Sequence, residues 1–374
     1  MANMNNQIKS VRSRLGVTQQ ELAKSSGVAR QTIGGIESGA YAVSLQVALR
    51  IARALGCPID ELFWLDEEEC IVEARSVAPI KAESVSKRVA LARVSGKWIA
   101  HPLEGDGAFV TEMIPADGVV NWSGDGDRIS VTLQNEPRAI AATVAIAGCA
   151  PTLPLWARSA ERWSPGLRTL CLHANSAAAL RSLRHGEIHA AGLHFSDDNS
   201  DSGNLTLVKS ALGSRQAVLI NLGVWEEGFV IERGNPKSIK SEEDLLRPDI
   251  TIVNRDVGSG ARLLLDRIIE RVGGTSSELR GYDNVANNHR DIARSVRQHL
   301  ADVGIGIVSV ASAYNLDFVP LRQVQYDIAL LKEQLDCEPV QQLMAALSHR
   351  WVKTQLRATG GFDTTLTGEV VGAT

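Results

Sequence analysis

The segment spanning residues 254–262 carries the residue types best suited to holding a small charged molecule. Asn254 and Arg255 end an apolar run, Gly258-Ser259-Gly260 follows, and an amphipathic run that includes Arg262 begins directly after it. Such a turn leads a strand into a helix, whose free N–H groups and positive dipole end face the crevice beyond the strand ends. With its two arginines, the pattern predicts a site for an anion, either an oxyanion or a carboxylate. The alternative is a structural glycine-rich turn with Arg262 in a surface salt bridge.

Three further positions could complete such a site from a second lobe. Gly148-Cys149, at the end of an apolar strand, and Asn175-Ser176, at the start of a helix, would each offer N–H donors. His194 follows another predicted strand and is the better candidate for a cleft residue. His189, on the same strand, is expected to be a hydrogen-bonded core histidine.

The sequence gives little reason to expect catalysis, a cofactor or a metal. Ser259 lies in a Gly-Ser-Gly-Ala sequence that lacks the GxSxG spacing of a nucleophile elbow, and no His/Asp partner can be assigned to it. No P-loop and no HExxH motif occurs. The five cysteines are scattered without a CxxC pair, which indicates buried thiols rather than a disulfide framework or a zinc site. We therefore expect a protein that is not an enzyme.

Residues 1–66 show strong helical periodicity interrupted by glycines. Thr18 and Glu21 have the spacing of a capping box, and Gly27 follows the helix that they would begin. The pattern predicts five short helices. The fourth, capped by Ser44, is expected to turn four apolar residues inward, namely Val47, Leu49, Ile51 and Leu55.

Charge is unevenly distributed along the chain. Residues 1–65 carry seven basic and four acidic side chains, although the formal net charge of the whole chain is −4. A basic head on an acidic body is typical of a DNA-binding module fused to an effector domain. No apolar run reaches the roughly 18 residues that cross a bilayer, and the polar N-terminus lacks the apolar core of an export signal. These patterns predict a cytoplasmic location.

The segment from Thr18 to Gly39 resembles the phage-repressor, Xre-type helix-turn-helix family. The resemblance depends on a small residue at a helix crossing, a glycine at the turn, two apolar anchors and a closing pair, namely Ala23, Gly27, Ile33, Ile36, Glu37 and Gly39. It implies a DNA-binding domain in residues 1–66, whereas periodicity alone predicts only a small helical bundle. A helical protein-interaction module is the alternative.

In this family the second helix of the motif enters the major groove with its N-terminal residues facing the bases. The resemblance therefore implies that bases are contacted by Ala29, Arg30, Gln31 and Thr32. Arg30 suits guanine O6 and N7, and Gln31 suits adenine. Because one such module contacts one half-site, the protein is expected to bind operator DNA as a homodimer.

Residues outside that helix are expected to contact the DNA backbone. Gln19 would bind a phosphate and fix the register, while Arg12 and Arg14 would strengthen binding to all sequences alike. Gly34-Gly35 departs from the family pattern, which often has longer polar side chains there. This departure weakens the case for base contacts from the middle of the helix.

Residues 67–136 have short apolar runs separated by glycine and aspartate, which predicts a β-rich connector. Residues 89–94 and 97–100, joined by Ser95-Gly96, have the pattern of a β-hairpin. No chemistry can be assigned to this region.

Strand-like and helix-like runs alternate over residues 137–360, which predicts an α/β domain with mostly parallel strands. Strands are expected at 140–147, at 217–224 and at 228–232, among others. A break near 213–235 and a return near 322–331 would give two lobes joined by two crossings. Residues 361–374 are expected to be a tail.

This part of the chain resembles the bilobal type-2 periplasmic-binding-protein fold. More specifically, it is similar to the molybdate-binding-protein-like domain found attached to helix-turn-helix modules and to some molybdopterin biosynthesis proteins. The matching segments are 147–151, 186–194, 232–236, 254–266 and 301–306. The resemblance implies a one-component transcription regulator that senses a small anion, with molybdate or tungstate as the expected effector. The alternative is a repressor whose C-terminal domain only dimerises or binds a protein partner.

Overall fold

The computed structural model describes residues 4–65, 70–80, 87–108, 113–123, 127–194 and 203–374. The chain divides into two compact units, Met1–Ile71 and Val72–Thr374. No helix within the described residues is long and apolar enough to cross a membrane.

The first unit is helical, as predicted. Its helices are α1 (Ile8–Arg14), α2 (Gln19–Ser26), α3 (Arg30–Glu37), α4 (Leu45–Leu55) and α5 (Ile59–Leu62). Two short strands, β1 (Met4–Asn6) and β2 (Phe63–Leu65), pair antiparallel. This pairing brings the two ends of the unit together around the buried side chains of all five helices.

Local sequence signals fix the helix ends of this unit. Thr18 and Glu21 form the predicted capping box, in which the Glu21 carboxylate accepts from the Thr18 amide at 2.7 Å. Gly27, with a φ of +66°, ends α2. The prediction that Leu49 turns inward is wrong, because Leu49 is 51% exposed. The inward face of α4 is formed instead by Ala48, Ile51, Ala52 and Leu55.

Five strands after the first unit close into a small barrel. They are β3 (Ile71–Ser76), β4 (Arg88–Val94), β5 (Lys97–Pro102), β6 (Gly118–Ser123) and β7 (Arg128–Leu133), in the order β3-β5-β4-β6-β7. The predicted hairpin is confirmed, with Val94 opposite Lys97. Ser95 and Gly96 both have positive φ, as a two-residue hairpin turn of this kind requires.

The barrel shares a hydrophobic core with the α/β region. Ala90, Ala92 and Val94 of β4 pack in one cluster with Ala145 and Ala147 of the first strand of that region. The region predicted as a connector is therefore part of the second compact unit rather than a separate linker.

The α/β region is built on a mixed sheet flanked by helices. Its helices are α6 (Pro137–Ala141), α7 (Leu153–Trp163), α8 (Ser176–Arg184), α9 (Gly203–Leu212), α10 (Gly260–Arg271), α11 (His289–Arg297), α12 (Val308–Ala313), α13 (Glu338–Ala345) and α14 (Arg350–Ala358). Its strands are β8 (Thr143–Gly148), β9 (Arg168–His173), β10 (Ala190–Leu193), β11 (Ala217–Ile231), β12 (Ile252–Arg255), β13 (Val285–Ala286), β14 (Val303–Ile307), β15 (Asp317–Leu331), β16 (Phe362–Asp363) and β17 (Val370–Ala373).

Two long strands divide this sheet into two lobes. The strand order is β13-β12-β14-β11-β15-β10-β8-β9. β8, β9 and β10 form the parallel part of the first lobe, and β12, β13 and β14 form that of the second lobe. β11 and β15 run antiparallel to each other through both lobes, from Ala217 opposite Leu331 to Ile231 opposite Asp317. The predicted pair of crossings is confirmed.

Three predictions for this region need correction. The two strands expected at 217–224 and 228–232 are one continuous strand, β11, because it bridges both lobes. The strand expected at 140–147 begins only at Thr143, since Pro137 starts the short helix α6. Residues 361–374 are not a tail, because β16 and β17 pair with β11. Phe362 is also buried in the core beside Trp225.

Candidate functional site

The positions predicted to contact DNA bases begin α3, and these are Ala29, Arg30, Gln31 and Thr32. Arg30 and Gln31 are exposed, and Thr32 is half-buried. The opposite face of α3 carries Ile33 and Ile36, which are buried in the core of the first unit. The apolar face thus orients the helix so that its polar first turn faces solvent.

Two of the predicted backbone-binding residues make internal contacts. Arg12 donates from Nε to Glu37 at 2.8 Å and from Nη1 to the Val17 oxygen at 2.8 Å. Gln19 donates from Nε2 to the other Glu37 oxygen at 2.8 Å. The buried Glu37 carboxylate needs donors and engages both side chains. The phosphate contacts expected of Arg12 and Gln19 stay predictions. Arg14 is exposed, as a residue facing DNA would be.

Glu37 stabilises the first unit as an anion. Burial alone would raise the pKa of Glu37, but the hydrogen bonds from Arg12 and Gln19 lower it below its ordinary value of 4.5. A carboxyl group whose pKa is lowered on folding stabilises the fold above its unfolded pKa. This contribution is lost as the pH falls through the lowered, folded-state pKa.

The glycine pair in α3 has a packing reason. A Cβ at Gly35 would lie 2.1 Å from Cδ2 of Tyr41, so any larger residue would displace that ring. At Gly34, a Cβ would meet only Gln19 Nε2, at 3.9 Å. The departure from the family pattern at Gly35 is therefore linked to the position of Tyr41.

In the second unit, the two lobes meet at a surface that we call the seam. Asn175 of the first lobe donates from Nδ2 to the Val257 oxygen of the second lobe at 3.1 Å, and also to the Asp256 carboxylate. The Ala177 amide faces the Gly258 oxygen at 3.4 Å. These contacts bring the N-termini of α8 and α10 together, as the sequence predicted for the two segments.

The first turn of α10 lies against His194. A Cβ at Gly260 would lie 2.7 Å from His194 Nε2, so glycine is needed for the lobes to approach this closely. Ser259 caps α10 by accepting from the Arg262 amide at 3.2 Å. On the other side, the Ser176 hydroxyl accepts from the His194 amide at 3.2 Å. The predicted candidates from both lobes therefore converge at the seam.

Arg255 is the buried cation of the seam. It is 1% exposed and donates to the oxygens of Ala286 and Asn287 and to the carboxylate of Asp256, at 3.1–3.2 Å. Asn254 fixes the backbone beside it by accepting from the Arg255 amide at 2.8 Å. The Nη1 atom of Arg255 is buried and has no hydrogen-bond partner within the described residues.

Arg262 meets this group through its Nη1, which donates to the backbone oxygen of Arg255 at 3.3 Å. Its guanidinium lies over the ring of Tyr282, 4.1 Å from the centroid, and its Nε is 3.4 Å from the Asp266 carboxylate. The anion contact expected of Arg262 stays a prediction, since these contacts engage part of its guanidinium. One turn of α10 separates Arg262 from Asp266, so the ion pair forms along the helix flank rather than in the seam.

A chain of polar contacts runs from Cys149 to the crossing strands. The sulfur of Cys149 is 3.6 Å from His194 Nδ1, and His194 Nε2 is 3.5 Å from a carboxylate oxygen of Glu227. Arg322 donates to the other Glu227 oxygen from Nε at 3.1 Å and from Nη2 at 2.8 Å. Next to Cys149, a Cβ at Gly148 would lie 2.4 Å from the Tyr326 hydroxyl.

Sequence reasoning missed five residues that surround these contacts, namely Trp225, Glu227, His289, Arg322 and Tyr326. Glu227 offered a usable signal, since the pair Glu226-Glu227 interrupts a largely apolar strand. The others are brought together only by strand pairing and by the packing of α11.

The protonation states of the seam follow from burial and mutual contact. Burial alone would lower the pKa of His194, but Cys149 and Glu227 raise it to about 9. Burial would raise the pKa of Glu227, but His194 and Arg322 lower it to about 2. Burial and the nearby Arg255 hold the pKa of His289 well below its ordinary value. Near neutral pH the seam thus holds a cationic His194, an anionic Glu227 and a neutral His289.

No group of three or more potential metal-ligating side chains comes together in the part of the chain that the structure describes. His189, predicted to be a core histidine, is 1% exposed and its Nδ1 accepts from the Ala145 amide at 3.0 Å. That prediction is confirmed.

A family model described as the PBP superfamily domain matches residues 157–348. The chain belongs to this PBP superfamily. A helix-turn-helix family model matches residues 8–62, so the PBP-like domain follows a DNA-binding domain of the Xre type. These are the families of a regulator's DNA-binding domain and of a solute-binding domain, not of enzymes.

Relatives match the two parts separately. The HTH-type transcriptional regulator YgzD of Bacillus subtilis is 43% identical over 65 residues, which are 17% of this chain and 98% of YgzD. An HTH-type transcriptional regulator of Archaeoglobus fulgidus is 46% identical over 66 residues, 18% of this chain and 94% of that protein. YvgK of Bacillus subtilis is 34% identical over 203 residues, and the match covers 53% of this chain and 64% of YvgK.

Solved structures of binding proteins overlap the PBP-like domain at low similarity. An ABC-type phosphate transport receptor from Vibrio cholerae is 14% identical, with a TM-score of 0.43. The match covers 59% of this chain and 99% of the receptor chain.

Replacing Arg12 with alanine should destabilise the helix-turn-helix domain by about 3 kcal/mol, because the buried Glu37 carboxylate loses its charged partner. In hydrogen exchange of the full chain followed by mass spectrometry, peptides from residues 8–62 should exchange faster. Peptides from the PBP-like domain should not change. Arg14→Ala removes an exposed charge of the same kind and should leave exchange as in the wild type. Equal exchange in the two variants would contradict a stabilising role for the Arg12–Glu37 pair.

Proposed function

We propose that this protein is a one-component transcription regulator that binds operator DNA through its helix-turn-helix and a small anion between the lobes of its PBP-like domain. The observation that carries the anion proposal is the buried Arg255, whose Nη1 has no partner within the described part of the chain. A guanidinium inside a protein is costly unless its donors are used, so an anion at this atom would be strongly bound.

The surroundings of Arg255 include further donors beside the carboxylates of Asp256 and Glu227. The amides of Gly260 and Ala261 begin α10 and have no acceptor inside the helix. The indole Nε1 of Trp225 and the ring of His289 are buried and also lack partners among the described residues. A set dominated by N–H donors beside a helix N-terminus favours a fully deprotonated anion.

These donors favour a small, deprotonated anion, and both an oxyanion and a carboxylate meet that description. Oxyanions such as molybdate and tungstate accept hydrogen bonds on all sides, which fits donors converging from both lobes. A carboxylate would use the same donors on one side and would place its remainder against Trp225 and Tyr326. We propose an oxyanion, with molybdate or tungstate as the first to test.

Replacing Arg255 with methionine should weaken anion binding about tenfold to a hundredfold, the usual worth of a charge-assisted hydrogen bond. Calorimetric titration with molybdate, tungstate, sulfate, phosphate and a panel of amino and organic acids would measure this. Arg262→Ala is the comparison variant, since it removes the same charge from the flank of α10, and it should weaken binding less than Arg255→Met does because Tyr282 and Asp266 already engage its guanidinium.

Two results would contradict the anion proposal. One is that none of these anions binds or raises the melting temperature of the wild-type protein at millimolar concentration. The other is that Arg255→Met, still folded by circular dichroism, binds as tightly as the wild type. The first result would favour a domain that serves only for dimerisation or protein contact, and the second would place the anion away from Arg255.

For DNA, we propose that Arg30 and Gln31 read base edges, that Ala29 and Thr32 contact the same groove, and that Arg14 contacts a phosphate. The exposed first turn of α3 supports this assignment.

Gln31→Ala should cost about 1–3 kcal/mol on the preferred site and relax the preference at one base pair. Selection of DNA sites in vitro with the wild type and with Gln31→Ala would detect the relaxed preference. Arg14→Ala should weaken all sequences alike and flatten the salt dependence. An unchanged preference in Gln31→Ala would refute this placement of α3.

We also propose that two copies bind each operator, because one helix-turn-helix contacts one half-site. Light scattering of the protein with and without a selected operator duplex should give a mass of two chains per duplex. A complex of one chain per duplex at all concentrations would contradict it.

A further inference from the structure

We propose that Cys149 is a reactive thiol, activated by His194 and Glu227, which peroxides oxidise when the two lobes separate. The thiol, the imidazole and the carboxylate stand in the order found where proteins make a nucleophilic cysteine. The proposal concerns a reaction of the protein with a peroxide and does not depend on the binding of an anion.

The fold places the three groups in line. β8 and β10 are parallel neighbours in the first lobe, with Ala147 opposite Ala191, so Cys149 and His194 leave the same edge of the sheet. There the sulfur and His194 Nδ1 are 3.6 Å apart. On the far side of the ring, Nε2 faces Glu227 Oε1 at 3.5 Å, and both atoms lack a closer hydrogen-bond partner within the described residues.

Glu227 is itself fixed in place. In the register of the crossing strands, Glu227 lies directly opposite Arg322, which donates two hydrogen bonds to its carboxylate. Because one carboxylate oxygen is used by Arg322, the other remains for His194. The imidazole is thereby oriented with Nδ1 toward sulfur.

Electrostatics favour the thiolate. Burial alone would raise the pKa of Cys149, but the contact with His194 lowers it below its ordinary value, and Arg255 on β12 adds to this effect. Glu227 on β11 acts in the opposite direction. Tyr326 on β15 has its pKa raised well above the ordinary value, so its hydroxyl keeps its proton beside the sulfur. Burial and Arg255 keep the remaining neighbour, His289 on α11, neutral.

The thiol is covered in the closed arrangement. Cys149 is 4% exposed and His194 is fully buried. The first turn of α10 lies on His194 through Gly260, and the hydrogen bond from Asn175 to Val257 holds that turn in place. A peroxide therefore reaches the sulfur only when the second lobe moves away.

The reaction balances without a further partner. The thiolate attacks one oxygen of hydrogen peroxide, an S–O bond forms and the O–O bond breaks. Sulfur is oxidised by two electrons, and the peroxide is reduced by the same two electrons. The departing hydroxide takes the proton of the His194 imidazolium and leaves as water, so the products are a neutral sulfenic acid at Cys149, neutral His194 and water.

The other cysteines provide a comparison inside the same chain. Burial raises the pKa of Cys171 to about 12, and burial also raises the pKa of Cys57. No histidine faces either sulfur among the contacts of the described residues. Cys171 is therefore the matched control, being a thiol on the neighbouring strand β9 without an activating base.

The test uses the full-length, reduced protein with hydrogen peroxide and dimedone, and maps the adducts by peptide mass spectrometry. Cys149 should form its adduct at least tenfold faster than Cys171 at pH 7. The rate of adduct formation at Cys149 should be first order in peroxide. This rate should change less than threefold between pH 6.5 and 8. His194→Gln should slow the reaction at least tenfold. In this variant the rate should rise about tenfold per pH unit, as for a thiol with an ordinary pKa near 8.5. Cys149→Ser should remove this adduct and no other.

A rate at Cys149 no greater than that at Cys171 in the wild type would overturn the proposal, and this comparison needs no variant to fold. A pH dependence that is the same in wild type and in folded His194→Gln would also overturn it. Since no anion is added, failed anion titrations leave the thiol proposal intact. An unreactive Cys149 likewise leaves the anion proposal intact.

Discussion

The burial of the Glu227 charge between the two lobes is the constraint on which the arrangement of the seam depends. A carboxylate with no solvent exposure is stable in a protein only if donors surround it. Arg322 supplies two of them from the adjacent crossing strand, and His194 approaches from the end of β10. His194 in turn determines how closely Gly260 and the start of α10 can approach. The buried charge of Glu227 therefore links the crossing strands β11 and β15, the first lobe and the second lobe.

The same constraint separates two kinds of arginine. Arg255 and Arg322 are held inside the seam by backbone oxygens and by Glu227, so their positions are fixed before any ligand arrives. Arg12 is held by the Glu37 carboxylate at the end of another helix, and Arg262 is held by Asp266 one turn along its own helix. A donor that is preorganised and still has one N–H available binds an anion without first losing side-chain entropy.

Short-range patterns made the fold largely predictable from the sequence. The capping box at Thr18, the turn at Ser95-Gly96 and the cap at Ser259 each depend on residues within a few positions of one another. The seam was predictable only in part. Gly258-Ser259-Gly260, Asn175 and His194 follow strand or helix ends, whereas Glu227 and Arg322 meet through a register between residues 95 positions apart. The contact between Arg12 and Glu37 has the same origin, since the two residues are 25 positions apart and the sequence shows each charge but not its partner.

The pairing of β16 and β17 with β11 has a consequence for the order in which the protein can fold during synthesis. The second lobe is contained largely in the stretch between the two crossings, so its parallel strands β12, β13 and β14 are all made before β15. The first lobe must wait for β15, which separates β10 from β11, and then for β17 along the outer edge of β11. Until then its early strands β8, β9 and β10 have an open apolar edge. During synthesis, most of the second lobe therefore leaves the ribosome before the first lobe is complete. In this interval the open edge of the first lobe can pair with other chains and aggregate.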